Sequence, residues 1–224
     1  NLLRSLLYLI CPATSVGRCA VVPVGSVNAP VALIFTSPLP GTMLKSPLEL
    51  IVASLISTHG IEKTEKWAKG FVSNFARKPQ GNDRSQIMAV ANGLADLAIA
   101  NSYYYGYMLS GKAGNDQVKA AKKVKMYFPN QNNRGVHINI SGLGVLKNAK
   151  NIHNANRFIE FLLSREMQSS MVNNSFEYPV LTDVSPHPDI ASSGLGFLED
   201  KMQVSEYGKF NSEAIKLMDR AGWK

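Results

Sequence analysis

Hydrophobic spacing is most regular over Glu62–Phe75 (EKTEKWAKGFVSNF), where Trp67, Phe71 and Phe75 recur at i, i+4 and i+8, the spacing of one helical face. A Pro/Gly/Asn loop follows at Arg77–Asp83. Asn82 or Asp83 can cap a helix running through Asn92, and Gly93 is placed to end it. The short apolar runs Asp96–Asn101 (DLAIAN) and Val136–Ile140 (VHINI) predict strands. Amphipathic spacing predicts a helix over Asn154–Leu163 that buries Phe158, Ile159 and Leu162. Ser164 can cap a further helix through Val172, and a last one, about Glu213–Arg220, is expected to bury Ile215 with Leu217 or Met218. Strands separated by helices imply an α/β protein with a largely parallel sheet and right-handed crossovers.

Residues 1–50 differ from the remainder. They hold six of the eleven Pro and only four charged residues, Arg4, Arg18, Lys45 and Glu49. Ala20–Val24 and Val31–Phe35 are strand candidates interrupted by Pro. Leu2–Cys11 reads either as a buried strand or helix, or as the tail of a secretory signal, since Arg4 precedes a short apolar stretch. A boundary is therefore expected near residue 45–50.

Composition narrows the chemistry. The 224 residues carry 24 Lys+Arg against 16 Asp+Glu, a net charge of +8. The dense run Lys119, Lys122, Lys123 and Lys125 reads as a solvated helix face, and no nucleic-acid module accompanies it. Two Cys, Cys11 and Cys19, exclude a disulfide-rich miniprotein and a four-cysteine zinc site, and they can pair only in an oxidising compartment. No apolar run reaches the roughly 18 residues a membrane-spanning helix needs. His59, His137, His153 and His187 lack metal-ligand spacing, and Glu199–Asp200 reads as a solvated turn. No G-x-S-x-G, P-loop or H-E-x-x-H sequence occurs, so an enzyme is not expected. The stretch RKPQGNDR (77–84) joins three cations to a helix start and reads as a capped surface loop or as an anion site.

The most informative segment is DLAIANSYYYGY (96–107), with Tyr103, Tyr104, Tyr105 and Tyr107 crowded after a strand that ends at Asn101. Open α/β sheets bind ligands at the carboxyl ends of their strands. Vicinal side chains diverge on a regular strand, but a strand-to-helix turn can aim two phenol oxygens at one point. Phenolate is a hard anionic donor that suits ferric iron, whereas calcium and magnesium sites use carboxylates and carbonyls. Ionising a free Tyr at neutral pH costs about 4 kcal/mol, which a trivalent cation can offset. A Tyr cluster can equally supply packing and polar tips in a cleft for another small ligand.

A family resemblance runs through VASLISTHG (52–60), WAKGFVSNFARKPQGNDRSQI (67–87), ADLAIANSYYYG (95–106), YFPNQNNRGVHINISGLGV (127–145), FEYPV (176–180) and LMDRAGWK (217–224). These stretches resemble, in order, the C-terminal portion of periplasmic ferric-iron-binding proteins, the substrate-binding components of iron ABC transporters. The resemblance implies a two-lobed α/β fold of the type II periplasmic-binding-protein kind, here with an incomplete first lobe. It implies ferric iron, Fe(3+), as bound ligand, in some cases with a synergistic anion, an inner-membrane ABC permease as partner, and a monomer. The location implied is periplasmic, or extracytoplasmic and membrane-anchored. The family's adjacent Tyr pair maps onto Tyr103 and Tyr104 as metal ligands; Tyr105 falls at a non-ligand position, and Asn101 falls close behind the site. Residues 51–135 and 181–224 are expected to form the second lobe, with 136–180 returning to the first.

The resemblance also has an edge. Relatives place another Tyr just before the VASLI helix, where this chain has KSPLELIVASLI (45–56), and 1–50 offers only Tyr8 in an unrelated context. The chain opens on Asn1, and the change near residue 50 is that expected of a truncated, rearranged or frame-shifted gene. Two phenolates alone leave about four of six oxygen positions on ferric iron to water, an anion or a chelator. The alternatives are a module of the same fold for another small ligand and a fragment that binds nothing.

Overall fold

The computed structural model describes residues 3–12, 33–34, 48–192 and 196–223, with the side chains of 3–12, 33–34, 140 and 204 left aside. Ala20–Val24 and Cys19 lie outside the described residues.

Leu3–Pro12, within the stretch read as a strand, a helix or the tail of a signal, forms a ten-residue strand, β1. After β2 (Leu33–Ile34) come α1 (Leu48–His59), α2 (Ile61–Ser73) and α3 (Asp83–Ala91). Then β3 (Leu97–Asn101), α4 (Ser102–Leu109), α5 (Asn115–Lys122) and β4 (Val124–Tyr127) follow. The chain continues through β5 (Ile138–Ser141), α6 (Ile152–Leu162), α7 (Arg165–Ser175), β6 (Tyr178–Pro179), α8 (Pro188–Ala191) and α9 (Val204–Arg220). Asn82 takes the cap of α3, accepting from Ser85 N–H, and Ser164 caps α7 by accepting from Met167 N–H. Among the described residues no helix is long and apolar enough to cross a membrane.

Strand direction differs from the expected parallel sheet. β1 pairs antiparallel with β3 and β4 through residues 7–12, and antiparallel with β5 and β6 through residues 3–6. Only β2–β3 is a parallel pair among the described strands. The physical reason lies in β1 itself. β3 and β4 run in one direction, as helix-linked strands do, and β1 enters between them in the opposite sense, giving the order β2-β3-β1-β4. One long strand thus serves both strand groups.

Two cores flank this arrangement. α1 is apolar on nearly every face and buries Ile51, Val52, Leu55 and Ile56 against α9, whose Ala214 and Leu217 are fully buried. Each such aliphatic side chain contributes about 1.5–3 kcal/mol on burial. The expected aromatic face of α2 is present: Trp67 stacks on Phe71 at 4.7 Å, and Phe71 and Phe75 both meet Trp223. The other core gathers Ile87, Val90, Ala98, Met108, Val124 and Ile190 around α3, β3 and α4. The C-terminal helix is longer than expected, and it buries Leu217 while Ile215 and Met218 remain half-buried.

α6 departs from expectation. None of its residues is buried; Phe158 is 57% exposed, and Ile159 and Leu162 are half-buried. Its apolar stripe is real, but among the described elements its chief neighbour is α7 alone.

Between β4 and β5, Gly135 adopts φ +87°, where a Cβ would lie 2.5 Å from the Glu199 carbonyl carbon. Only Gly lets the strands close there, with Val136 N–H donating to Leu198 O and Asp200 N–H to Val136 O, both at 2.8 Å.

Candidate functional site

The β3 ladder ends at Asn101, which is also the N-cap of α4, so Tyr103 and Tyr104 fall in the first turn of the helix. This is the strand-to-helix bend anticipated for them. Their rings lie 4.3 Å apart, inclined at 41°, and both side chains are half-buried. The Tyr103 phenol is pushed well above its ordinary pKa. Burial is the largest cause, followed by the hydrogen bond with Tyr104 and then by the negative charges of Tyr104, Asp83 and Glu177. The two phenol rings thus lie side by side on the first turn of α4.

Tyr105 and Tyr107 do not join them. Tyr105 is buried in the core, its hydroxyl donating to Val124 O at 3.3 Å. Tyr107 donates to Lys112 O and lies beneath Arg84, whose guanidinium carbon is 5.7 Å from the ring centre.

Asn101 precedes the pair at the N-cap of α4. Its side chain makes no cap bond to α4. Instead, its backbone N–H and its Nδ2 both donate to Asp83 Oδ1, at 2.8 and 3.1 Å. Its Oδ1 accepts from Asn139 Nδ2 on β5 at 3.1 Å. Burial raises the Asp83 pKa, and the bonds from Asn101 oppose that rise. Since Asn82 caps α3, the neighbouring Asp83 is left to anchor the end of β3.

A second wall comes from residues the sequence reading did not single out. Glu177 accepts from Ser141 Oγ at 2.9 Å, tying the segment before β6 to the end of β5, and its charge reaches Tyr103. Phe176, in a left-handed conformation at φ 61°, ends α7 and aims this segment. Such a backbone costs a non-Gly residue roughly 1–2 kcal/mol. Packing holds it there: Phe176 is 1% exposed, with the His187 ring at 4.6 Å and Lys112 Nζ at 4.9 Å. Asn139 and Glu177 were invisible locally because each meets the tyrosine turn only through the sheet.

Other candidates fall elsewhere. Arg77 bonds to Gln86 and Lys78 O, and Arg84 covers Tyr107, so the RKPQGNDR cations are spread along the surface. Glu199–Asp200 is not a simple solvated turn: the Asp200 side chain is 8% exposed and forms an ion pair with Arg134 at 2.8 Å. Ser54 donates to the same carboxylate. The partner lies 66 residues away in sequence, beyond what local pattern reveals. His187 caps α8 by accepting from Asp189 N–H, while His137 is buried. Among the described residues no three His, Cys, Asp or Glu side chains cluster as a metal site.

Comparison with known proteins fits this geometry. Residues 54–196 match the family model described as bacterial extracellular solute-binding protein. The chain is 48% identical over 174 residues to iron uptake protein A1 of Synechocystis, a match covering 78% of this chain and 48% of that protein. It is 28% identical over 181 residues to the major ferric iron-binding protein of Neisseria meningitidis, covering 79% and 50% respectively. The chain thus spans about half the length of these curated relatives. Among solved structures, a Trichodesmium protein in complex with iron and citrate superposes with a TM-score of 0.88 at 40% identity, covering 99% of this chain and 69% of that one. The architecture is accordingly that of the type II periplasmic-binding-protein fold.

Proposed function

This chain belongs to the bacterial extracellular solute-binding proteins, and from that premise we propose that it captures ferric iron outside the cytoplasm through the phenolates of Tyr103 and Tyr104. The observation that carries the reading is the placement of two vicinal, half-buried phenols on the first turn of α4, their rings 4.3 Å apart. Iron arrives as cargo, displaces both phenolic protons and takes two anionic oxygens. Asn101 holds the turn at the N-cap of α4, fixed by Asp83 and Asn139. Glu177 adds negative charge beside the metal position. Because ligands must lose protons, binding strengthens as pH rises. Citrate or a comparable anion fills remaining positions on the metal, as the Trichodesmium protein's complex with iron and citrate suggests.

In this reading the protein performs no catalysis and delivers iron to the permease of an ABC importer, acting as a periplasmic or otherwise extracytoplasmic binding component. The lobes divide as 51–135 with 181–224, and 136–180, so that Tyr103 and Tyr104 stand on one lobe while Asn139 and Glu177 approach from the other. Adding ferric citrate to the purified protein is expected to produce a ferric-phenolate charge-transfer band. The band should vanish in the Tyr103→Phe/Tyr104→Phe double variant with its melting transition intact. A folded protein that shows no band sinks the metal reading.

A further inference from the structure

Two independent contacts bring the segment before β6 to the tyrosine turn. The first runs across the sheet. Asn139 on β5 donates to Asn101, two residues before Tyr103, and Ser141 stands two positions further along the same face of that strand. Ser141 Oγ in turn donates to Glu177 Oε1 at 2.9 Å. The second contact is made by α4 itself. Gly106 follows Tyr103 by three residues and shares its flank of the helix, and a Cβ there would lie 2.9 Å from Phe176 Cβ. Glu177 is the next residue, and its direction is fixed at the backbone as well. Phe176 holds φ 61°, and the Glu177 N–H donates to Ser175 Oγ at 3.3 Å. The fold therefore holds the half-buried Glu177 beside the first turn of α4.

Charge balance says what a carboxylate at that place does. The three positive charges of a ferric ion, set against two phenolates, leave one uncompensated, and an uncompensated charge in a half-buried site is costly. A third anionic oxygen cancels it, and carboxylate is a hard donor like phenolate. Asp83, whose charge also reaches Tyr103, is 8% exposed, and its Oδ1 already takes two bonds from Asn101. Glu177 is less enclosed, and a carboxylate's two oxygens can serve a metal alongside the bond from Ser141. We propose that Glu177 is a third iron ligand, its carboxylate reaching from the segment before β6 to the ion held by Tyr103 and Tyr104. The inference rests on the iron reading above and goes beyond it: the cargo itself links α4 to the end of the sheet where β5 and β6 lie.

The test loads the full 224-residue chain with iron from ferrous sulfate oxidised in air, with no added chelator. It reads the ferric-phenolate band, and affinity by competition against citrate. Glu177→Gln keeps an acceptor for Ser141 Oγ and removes the charge. This variant is expected to bind iron at least about tenfold more weakly, with its melting transition unchanged. Its band should move to longer wavelength, because iron that loses an anionic donor becomes a stronger acceptor of phenolate electrons. In Glu177→Ala, added acetate should return the band to the parental wavelength, a rescue that a merely structural role does not allow. A band and an affinity unchanged in Glu177→Gln overturn the inference and leave the iron reading standing. Weaker binding with an unmoved band and no response to acetate overturns it too, since charge at a distance then accounts for the loss. A parent protein without any band fails the iron reading and this inference with it, which keeps the two failures apart.

Discussion

Asp83, a residue only 8% exposed, receives at its Oδ1 both the backbone N–H and the Nδ2 of Asn101. The bond joins the start of α3 to the end of β3, and through Asn139 it reaches β5. Asn101→Ala keeps the backbone bond but removes one donor from a buried carboxyl and leaves Asn139 without its acceptor. A loss of about 2 kcal/mol is expected in urea unfolding. Asn101→Asp should cost more at pH 7 than at pH 5, because acid protonates one of two facing carboxyls and relieves their repulsion. Equal losses at both pH values would count against the carboxyl contact.

His137 couples the fold to pH. Its ring is 3% exposed, meets Tyr207 edge-on at 5.4 Å, and neither nitrogen has a hydrogen-bond partner among the described residues. Burial first, and the Arg134 charge second, push its pKa down to about 3. The folded state therefore keeps His137 neutral, while the unfolded chain takes up a proton near pH 6.5. Stability contributed by this group is present above pH 6.5 and is lost as pH falls from 6.5 toward about 3. His137→Phe preserves the aromatic contact and removes the titration. Thermal melts from pH 7 to pH 4 should fall less steeply for this variant than for the parent; parallel curves would rule the assignment out.

The Arg134–Asp200 pair makes a different prediction. Both side chains are largely buried, and Ser54 bonds to each. Arg134→Met strands the Asp200 carboxylate and is expected to cost about 3–5 kcal/mol. Arg134→Met/Asp200→Leu, which removes both charges, should recover most of that loss. A double-mutant cycle by chemical denaturation measures the coupling, and additive losses would show that the pair is not coupled.

Local pattern carried the elements that depend on neighbours in sequence. The Asn82 and Ser164 caps, the Trp67–Phe71–Phe75 face and the turn that presents Tyr103 and Tyr104 all rest on contacts within a few residues. Features that depend on distant partners were hidden. β1 announces an apolar strand, but nothing in LRSLLYLICP says it will run against four other strands. The stripe on α6 marks an apolar face without showing that none of its residues is buried among the described ones. Asp200 looks solvated until Arg134 folds onto it. At the candidate site the two phenols could be named from their spacing after the strand, while Asp83, Asn139 and Glu177 come to them only through tertiary pairing.

Gly106 links the packing of α4 to the tyrosines, three residues before it. A Cβ at this position would lie 2.9 Å from Phe176 Cβ and from Ile190 Cδ1. Phe176 is fully buried and cannot give way without moving Glu177 beside it. Gly106→Ala should therefore lift α4 from α8, destabilise the fold by about 1–3 kcal/mol and weaken ferric binding. Gly208 offers the control: it is exposed on α9 with nothing within 4 Å of the added methyl. There Gly→Ala should stabilise by about 0.5–1 kcal/mol through helix propensity alone and leave iron titrations unchanged. Urea midpoints and ferric citrate titrations on both variants decide the matter. If Gly106→Ala bound iron like the parent despite its lost stability, the α4–Phe176 contact would be shown to support the fold without setting the tyrosine geometry.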